Sequence, residues 1–366
     1  MKKVLFFPLL QLPSGHHQVA DALMRSLEKR AEGISCRKID FLWYANRHLE
    51  KIVTGIYMRW IYYAPQTYKW TYQHCACSAS GIKNYQLAWY ERLFQDKMEQ
   101  LLREEKPDLL VCTHAFPSFL ISRLKEQGKI FTPAINVYTD FFINEIWGRR
   151  GIDFHFVPAS SLKNELMGKY NIPEERIHIT GIPVDEQFHT TDRKFPVSPP
   201  YKILISGGSN GLGDILSLLQ KMKHATEFRY FILCGHNKEL FHEIASWKME
   251  HIQPLSFISS RKQMNDWYEQ VDAIITKPGG VTISEALWKK LPIFVHSVLP
   301  GQEEVNLHYL ESQKLVYRLL SHSPYETQIL NVLQNEEERS NWMKIIERYH
   351  QDKEGMAWEK IKELVE

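Results

Sequence analysis

Short apolar runs recur along this chain, each followed by a polar or glycine turn and then a stretch of helical period, and that alternation leaves few folds open. In Val271-Asp272-Ala273-Ile274-Ile275-Thr276 the β-branched residues suit a parallel strand buried on both faces. Lys277-Pro278-Gly279-Gly280 then turns the chain, and a helix pattern starts at once. In the first half, Val4 to Leu10, Asp108 to Thr113, Pro133 to Thr139, Phe154 to Pro158 and Ile177 to Thr180 read as strands. Val19 to Lys29 and Phe116 to Glu126 have helical period. A second series runs through Lys202 to Ser206, Phe228 to Cys234, Ile252 to Phe257, Ala273 to Thr276 and Ile293 to Val295. Between them, Asp192 to Pro200 is proline-rich and aperiodic, which marks a linker. The expectation is an α/β protein of two doubly wound, Rossmann-like domains facing a central cleft. They cover 1–191 and 201–366 around the linker 192–200, and a helical stretch from Glu336 to Val365 returns to the first domain.

Glycines at a strand-to-helix turn let backbone amides approach a ligand, and the helix start favours an anion such as a diphosphate. Gly279, Gly280 and Thr282 are placed for that role, with Lys277 beside them. Glu285, read as lying in the first helical turn, offers carboxylate oxygens to a ribose diol. The same Thr282-Ile283-Ser284-Glu285 also fits a capping box that merely closes the helix end. Gln302 and Glu303 lie about one strand further on, where a sugar attached to the diphosphate would sit. A second glycine turn, Ser206 to Gly213, contributes Gly208 and Ser209 as phosphate contacts. It matches neither the dinucleotide fingerprint nor the P-loop, which disfavours nicotinamide and ATP chemistry.

Polar groups also gather at strand ends of the first half: His16, His114, Thr139 and Asp140. Histidine takes a proton near neutral pH, so His16 is a candidate base. Asp140 orients a histidine, acts as a base itself, or caps a following helix. Asp-x-Asp, the usual metal clamp on a sugar diphosphate, is absent, and Cys75-Ala76-Cys77 has no second pair to complete a zinc site. Neither a metal nor a cofactor is expected.

Residues 42–90 hold twelve aromatics, and five Lys/Arg face the single acid Glu50. Trp60, Tyr62 and Tyr63 lie at the centre of this segment, whose composition suits an anionic membrane surface; the alternative is an aromatic-rich pair of core helices. Across the whole chain, 45 basic residues balance 43 acidic ones, so no nucleic-acid partner is indicated. Five scattered cysteines do not form a disulfide framework. The N-terminal run reads as a core strand rather than a signal, and no window approaches the ~20 apolar residues that span a bilayer. A cytoplasmic protein is expected.

The ordered set Gly15-His16 with Gln18-Val19-Ala20, Asn136 to Phe141 with Ile146-Trp147, Ile179 to Val184, Lys277 to Ala286 and Pro300 to Glu303 with Asn306 resembles GT-B glycosyltransferases. Bacterial processive diacylglycerol glucosyltransferases, plant monogalactosyldiacylglycerol synthases and, more remotely, the lipid II-forming transferase share this pattern. The resemblance covers nearly the whole chain. It implies inverting, metal-independent transfer of a hexose, glucose being the expected one, from a UDP-sugar to a lipid hydroxyl such as that of diacylglycerol. It assigns Glu285 to the uridine ribose, Gly208, Ser209, Gly280 and Thr282 to the diphosphate, and Gln302 and Glu303 to the sugar. His16 and Asp140 fall on the acceptor side. The segment 42–90 then holds the enzyme peripherally on the inner face of the cell membrane. One departure is the loop Leu10-Gln11-Leu12-Pro13-Ser14, where relatives carry several glycines. Alternatives are a GT-B nucleotide-sugar epimerase, a transferase for a soluble acceptor, and a non-catalytic UDP-sugar sensor.

Overall fold

The computed structural model describes residues 1–9, 14–48, 50–51, 55, 67, 88–189, 193, 198–208, 214–298 and 301–366. Contacts divide the chain into two compact units, Met1–Val184 with Pro300–Gln302 and Gln351–Glu366, and Asp185–Leu299 with Glu303–His350.

The first unit runs β1 (Lys2–Phe7), α1 (Gly15–Arg30), β2 (Ile34–Lys38), α2 (Phe41–Ala45), α3 (Ala88–Glu105), β3 (Leu109–Cys112), α4 (Ala115–Glu126), β4 (Ala134–Val137), β5 (Phe154–Val157), α5 (Ser160–Tyr170) and β6 (Ile177–Ile179). Its six-stranded sheet has the order β2-β1-β3-β4-β5-β6, and every pairing is parallel. β3 and β4 are buried along their whole length, as helices on both faces of a parallel sheet require. Sequence pattern misses β2, because this edge strand is only partly buried and its Ile34-Ser35-Cys36-Arg37-Lys38 carries little apolar signal. α1 also begins four residues before the expected Val19, so His16 lies in a helical first turn rather than in a loop.

The second unit runs β7 (Tyr201–Ser206), α6 (Ile215–Met222), β8 (Phe228–Leu233), α7 (Lys238–Ser246), β9 (Ile252–Leu255), α8 (Arg261–Gln270), β10 (Ala273–Thr276), α9 (Gly280–Trp288), β11 (Ile293–Val295), α10 (Gln302–Ser312), β12 (Tyr317–Arg318), α11 (Tyr325–Leu333) and α12 (Glu336–Gln351). Its parallel sheet is ordered β12-β11-β10-β7-β8-β9. Ile203, Ile205, Tyr230, Ile232, Ile275 and Phe294 fill one core with Leu218, Leu219 and Ile329 from the covering helices. Each such side chain contributes roughly 1.5–3 kcal/mol by leaving water. β12, two residues long, leaves no readable period. The helix expected over Glu336 to Val365 is broken: α12 stops at Gln351, and α13 (Ala357–Val365) is a separate helix of the first unit. Gly355, with φ +141°, makes the intervening turn. α13 packs on α1, with the Arg30 guanidinium 5.0 Å from the Trp358 ring centroid.

In both sheets the strand order reverses once. The reversal falls between β1 and β3 in the first unit and between β7 and β10 in the second. Outside the carboxyl ends of such strands the covering helices diverge and leave a crevice, so ligands of open α/β sheets bind there.

Candidate functional site

At the β1/β3 reversal, the chain beyond β1 enters α1 at Ser14-Gly15-His16, and the chain beyond β3 is Thr113-His114. His16 Nδ1 lies 2.8 Å from the Thr113 carbonyl oxygen and 2.9 Å from Thr139 Oγ1. A carbonyl only accepts, so Nδ1 carries the proton and Nε2 keeps a lone pair. Burial lowers the His16 pKa below 6.5, opposed by the negative charge of Asp140 and by the Thr113 carbonyl. Neutral imidazole is therefore the resting form at neutral pH, and Asp140 favours the imidazolium once a proton arrives.

His114 packs edge-on to His16 with ring centroids 4.6 Å apart, and its Nδ1 accepts from the Phe116 amide at the start of α4. Desolvation, then the neighbouring His16 and His17, hold His114 neutral with a pKa well below the ordinary histidine value. His114 thus closes a helix end and packs against His16.

Thr139 and Asp140 follow β4 on a stretch without helix, so Asp140 caps nothing, and that reading is corrected. The stretch is held from beneath by Asn136, whose Nδ2 donates to the Gly148 carbonyl at 2.7 Å and to Tyr138 Oη at 3.3 Å. Gly148 and Gly151 lie so close to α4 that an added Cβ would stand 2.4 Å from the Ser118 carbonyl oxygen and 2.3 Å from that of Ser122. Asp140 Oδ2 accepts from Gln302 Nε2 at 2.6 Å, within the first unit. His16 is oriented by Thr139, already singled out with it in the sequence, and by the Thr113 carbonyl, a contact that a search for acid–base residues passes over.

In the second unit the corresponding reversal lies between β7 and β10. Gly208, after β7, has φ +76°, a conformation that L side chains rarely adopt, and its amide donates to Ser206 Oγ at 3.3 Å. An added Cβ there would lie 4.0 Å from Lys277 Cε, so the two turns are neighbours. Lys277 Nζ pairs with Glu303 Oε1 at 3.0 Å, and both side chains are largely buried. α6 follows this glycine-rich segment, beginning at Ile215 with Asp214 as its cap residue. Ser209 lies outside the described residues, as do Trp60, Tyr62 and Tyr63.

α9 starts at Gly280 with Gly279 as its cap residue, no side chain closes that end, and the first-turn amides have no intrahelical acceptor. Two readings are corrected by this start. Glu285 is in the second turn, and Thr282 and Glu285 form no capping box. The glycine pair is short enough for the helix to begin two residues before Thr282.

Glu285 is 5% exposed. Its Oε2 accepts from Tyr268 Oη at 2.8 Å, and its Oε1 lies 3.5 Å from Arg261 Nη1. Burial raises its pKa from 4.5 to about 7, countered by the Arg261 charge and the Tyr268 hydrogen bond and reinforced by Asp185. Arg261 and Tyr268, both on α8, carry no sequence signal linking them to this carboxylate. Gln302 and Glu303, adjacent in α10, take different partners, Asp140 and Lys277. Among the described residues no group of three or more His, Cys, Asp or Glu side chains is arranged to hold a metal ion. Nor is any helix among them long and apolar enough to cross a membrane.

Residues 16–184 match the family profile described as Monogalactosyldiacylglycerol (MGDG) synthase. The chain is 44% identical over 318 residues to the "Uncharacterized glycosyltransferase YkoN" of Bacillus subtilis (strain 168), covering 86% of this chain and 84% of that protein. It is 28% identical over 309 residues to a "Processive diacylglycerol beta-glucosyltransferase" of Bacillus cereus (strain B4264), covering 81% and 77%. Among solved structures, Acinetobacter baumannii MurG superposes with a TM-score of 0.60 at 13% identity, over 100% of this chain and 99% of that one, a likeness of fold. The two parallel sheets with their helices are the GT-B fold.

Proposed function

The chain belongs to the GT-B glycosyltransferase family of processive diacylglycerol glucosyltransferases and monogalactosyldiacylglycerol synthases, and on that premise we propose that it moves a hexose from a UDP-sugar to a lipid hydroxyl. Glucose is the proposed sugar, diacylglycerol the proposed acceptor, and the anomeric carbon inverts.

The observation that carries this reading is the tautomer of His16: Nδ1–H is held by the Thr113 carbonyl, and Nε2 is left as a base. In the proposed step the acceptor O–H gives its proton to Nε2 while its oxygen attacks C1, and the bond from C1 to the UDP oxygen breaks on the opposite side. Asp140 then stabilises the imidazolium. On the donor side, charge growing on the departing diphosphate is met by the open amides at Gly280 and Thr282, the Gly208 turn and Ser209. Lys277 and Gly279 line the same turn. The Lys277 charge is already balanced by Glu303, so backbone amides supply most of the stabilisation and no metal ion or cofactor is invoked. Glu285 has lone pairs enough to share two ribose hydroxyls with Tyr268 and Arg261, and Gln302 and Glu303 are assigned to the hexose. Trp60, Tyr62 and Tyr63 are assigned to the membrane surface on the cytoplasmic side.

The test is transfer from UDP-glucose to phosphatidylcholine vesicles with and without dioleoylglycerol. Glycolipid that depends on dioleoylglycerol is the expected product, and product found only in the soluble phase would refute the acceptor. His16→Ala should lower kcat about 10²–10⁴-fold with UDP affinity unchanged. Normal turnover in that variant removes His16 as the base.

A further inference from the structure

Arg193 lies in the segment that reads from sequence as a linker, yet its side chain is built into the second unit. Its Nη1 donates to the carbonyls of Tyr268 and Lys289, each at 3.2 Å, and its Nη2 donates to the carbonyl of Val271. Tyr268 is in the last turn of α8, Val271 is the cap residue of that helix, and Lys289 is the cap residue of α9. One guanidinium therefore binds the C-terminal ends of both helices.

The last carbonyls of a helix have no intrahelical donor, and the helix end carries partial negative charge. Two such ends that converge repel one another unless a cation stands between them. Arg193 supplies it: burial lowers its pKa from 12.5 to about 10, opposed by Asp272 and Glu269, so it stays charged at neutral pH. Lys289 Nζ, paired with Glu269 Oε1 at 2.9 Å, is a second tie between the same helices. Both residues whose main chain Arg193 holds on α8 and α9 also contact Glu285. Tyr268 donates its hydroxyl to the carboxylate, and Lys289 donates its amide to the Glu285 carbonyl at 3.0 Å. The charges that act on the carboxylate are those of Arg261 and Asp185, so Arg193 reaches it through the placement of the helices.

We propose that Arg193 is a positioning residue of the donor side, which holds α8 against α9 so that Tyr268 and Arg261 fix the Glu285 carboxylate for the ribose diol. This rests on the assignment of Glu285 to the ribose.

The experiment uses the full chain with UDP, whose diphosphate keeps binding measurable in weakened variants. Arg193→Lys keeps a cation between the helix ends, which protects the fold, and gives up the planar fork that spans three carbonyls. Its UDP affinity at pH 8, read by calorimetry, should fall about tenfold. In a Glu285→Gln background the same replacement should cost nothing further, because no carboxylate is left to position. Wild-type affinity in Arg193→Lys, or an equal loss in both backgrounds, overturns the proposal. Uridine affinity across pH 5–8 gives a readout that a purely structural role leaves in place. With α8 loosened from α9, water reaches Glu285 and its pKa falls from about 7 toward 4.5. The rise of affinity with pH should therefore move about one pH unit lower in Arg193→Lys, and a rise still centred near 7 overturns the proposal. UDP affinity unchanged in Glu285→Gln alone refutes the ribose assignment and, with it, the role given to Arg193. A normal loss in Glu285→Gln beside an unaffected Arg193→Lys refutes Arg193 alone.

Discussion

Replacing Glu285 by glutamine separates what this carboxylate does for stability from what it does for a ligand. Its pKa of about 7 in the folded protein, against an ordinary 4.5, means that the folded state resists ionising it. The unfolded chain loses that proton near 4.5, so between pH 4.5 and 7 the folded state holds more protons, and stability falls as pH rises. Above pH 7 the penalty is complete. At about 1.36 kcal/mol per pH unit it amounts to about 3 kcal/mol, a net figure that already includes the 3.5 Å pairing with Arg261. Glu285→Gln keeps an acceptor for the Tyr268 hydroxyl and carries no charge to bury. At pH 8 the variant should therefore be about 3 kcal/mol more stable than wild type, a Tm higher by about 6–12 °C, and the advantage should shrink to about 1 kcal/mol or less near pH 5. Thermal unfolding of both proteins across pH 5–8 gives the comparison. Parallel curves for the two would refute the account of Glu285 as a carboxylate ionised at a cost. The ligand side is read with uridine, which has no phosphate to titrate. A ribose diol favours the ionised carboxylate, so wild-type affinity should be about tenfold weaker at pH 6 than at pH 8, and affinity in Glu285→Gln should be low and flat. Equal pH dependence in both proteins removes Glu285 from the ribose.

Gly148→Ala places a Cβ 2.4 Å from the Ser118 carbonyl oxygen, so α4 or the 139–151 stretch must shift. A loss of about 1–3 kcal/mol in denaturant unfolding is expected, with kcat falling as Asp140 moves, and an unchanged midpoint would show that the close approach is not real. Replacing Trp60, Tyr62 and Tyr63 together with serine should abolish sedimentation with anionic vesicles while far-ultraviolet circular dichroism stays native. Collapse of that signal would instead establish these side chains as core. The pH profile of kcat should have its acid limb below 6.5, where the depressed His16 pKa places loss of the base, and a limb above 6.5 would contradict the assigned burial.

Fold class and most strands were legible because a parallel strand covered on both faces is a local signal. Leu109 to Cys112 and Ala273 to Thr276 are apolar runs that no other element of such length accounts for. β2 and β12 were not legible, because an edge strand has little to bury. The start of α9 was misjudged for another reason: the pattern Thr282 to Glu285 matches a capping box, and only the backbone decides that Gly279 is the cap. His16 and Asp140 were found as residue types suited to proton transfer. Thr113 was passed over because it acts on His16 through a main-chain carbonyl, which every residue possesses.

The amino-acid sequence alone determined two open α/β units, glycine turns at their strand ends, and a family pattern of polar residues at those turns. Periodicity and turn chemistry are properties of neighbouring residues, so a linear reading reaches them. Tertiary structure alone decided which tautomer His16 adopts, that Lys277 and Glu303 neutralise one another, and that Glu285 is buried against Tyr268 and Arg261. Protonation and charge depend on desolvation and on partners distant along the chain, and only folding supplies both.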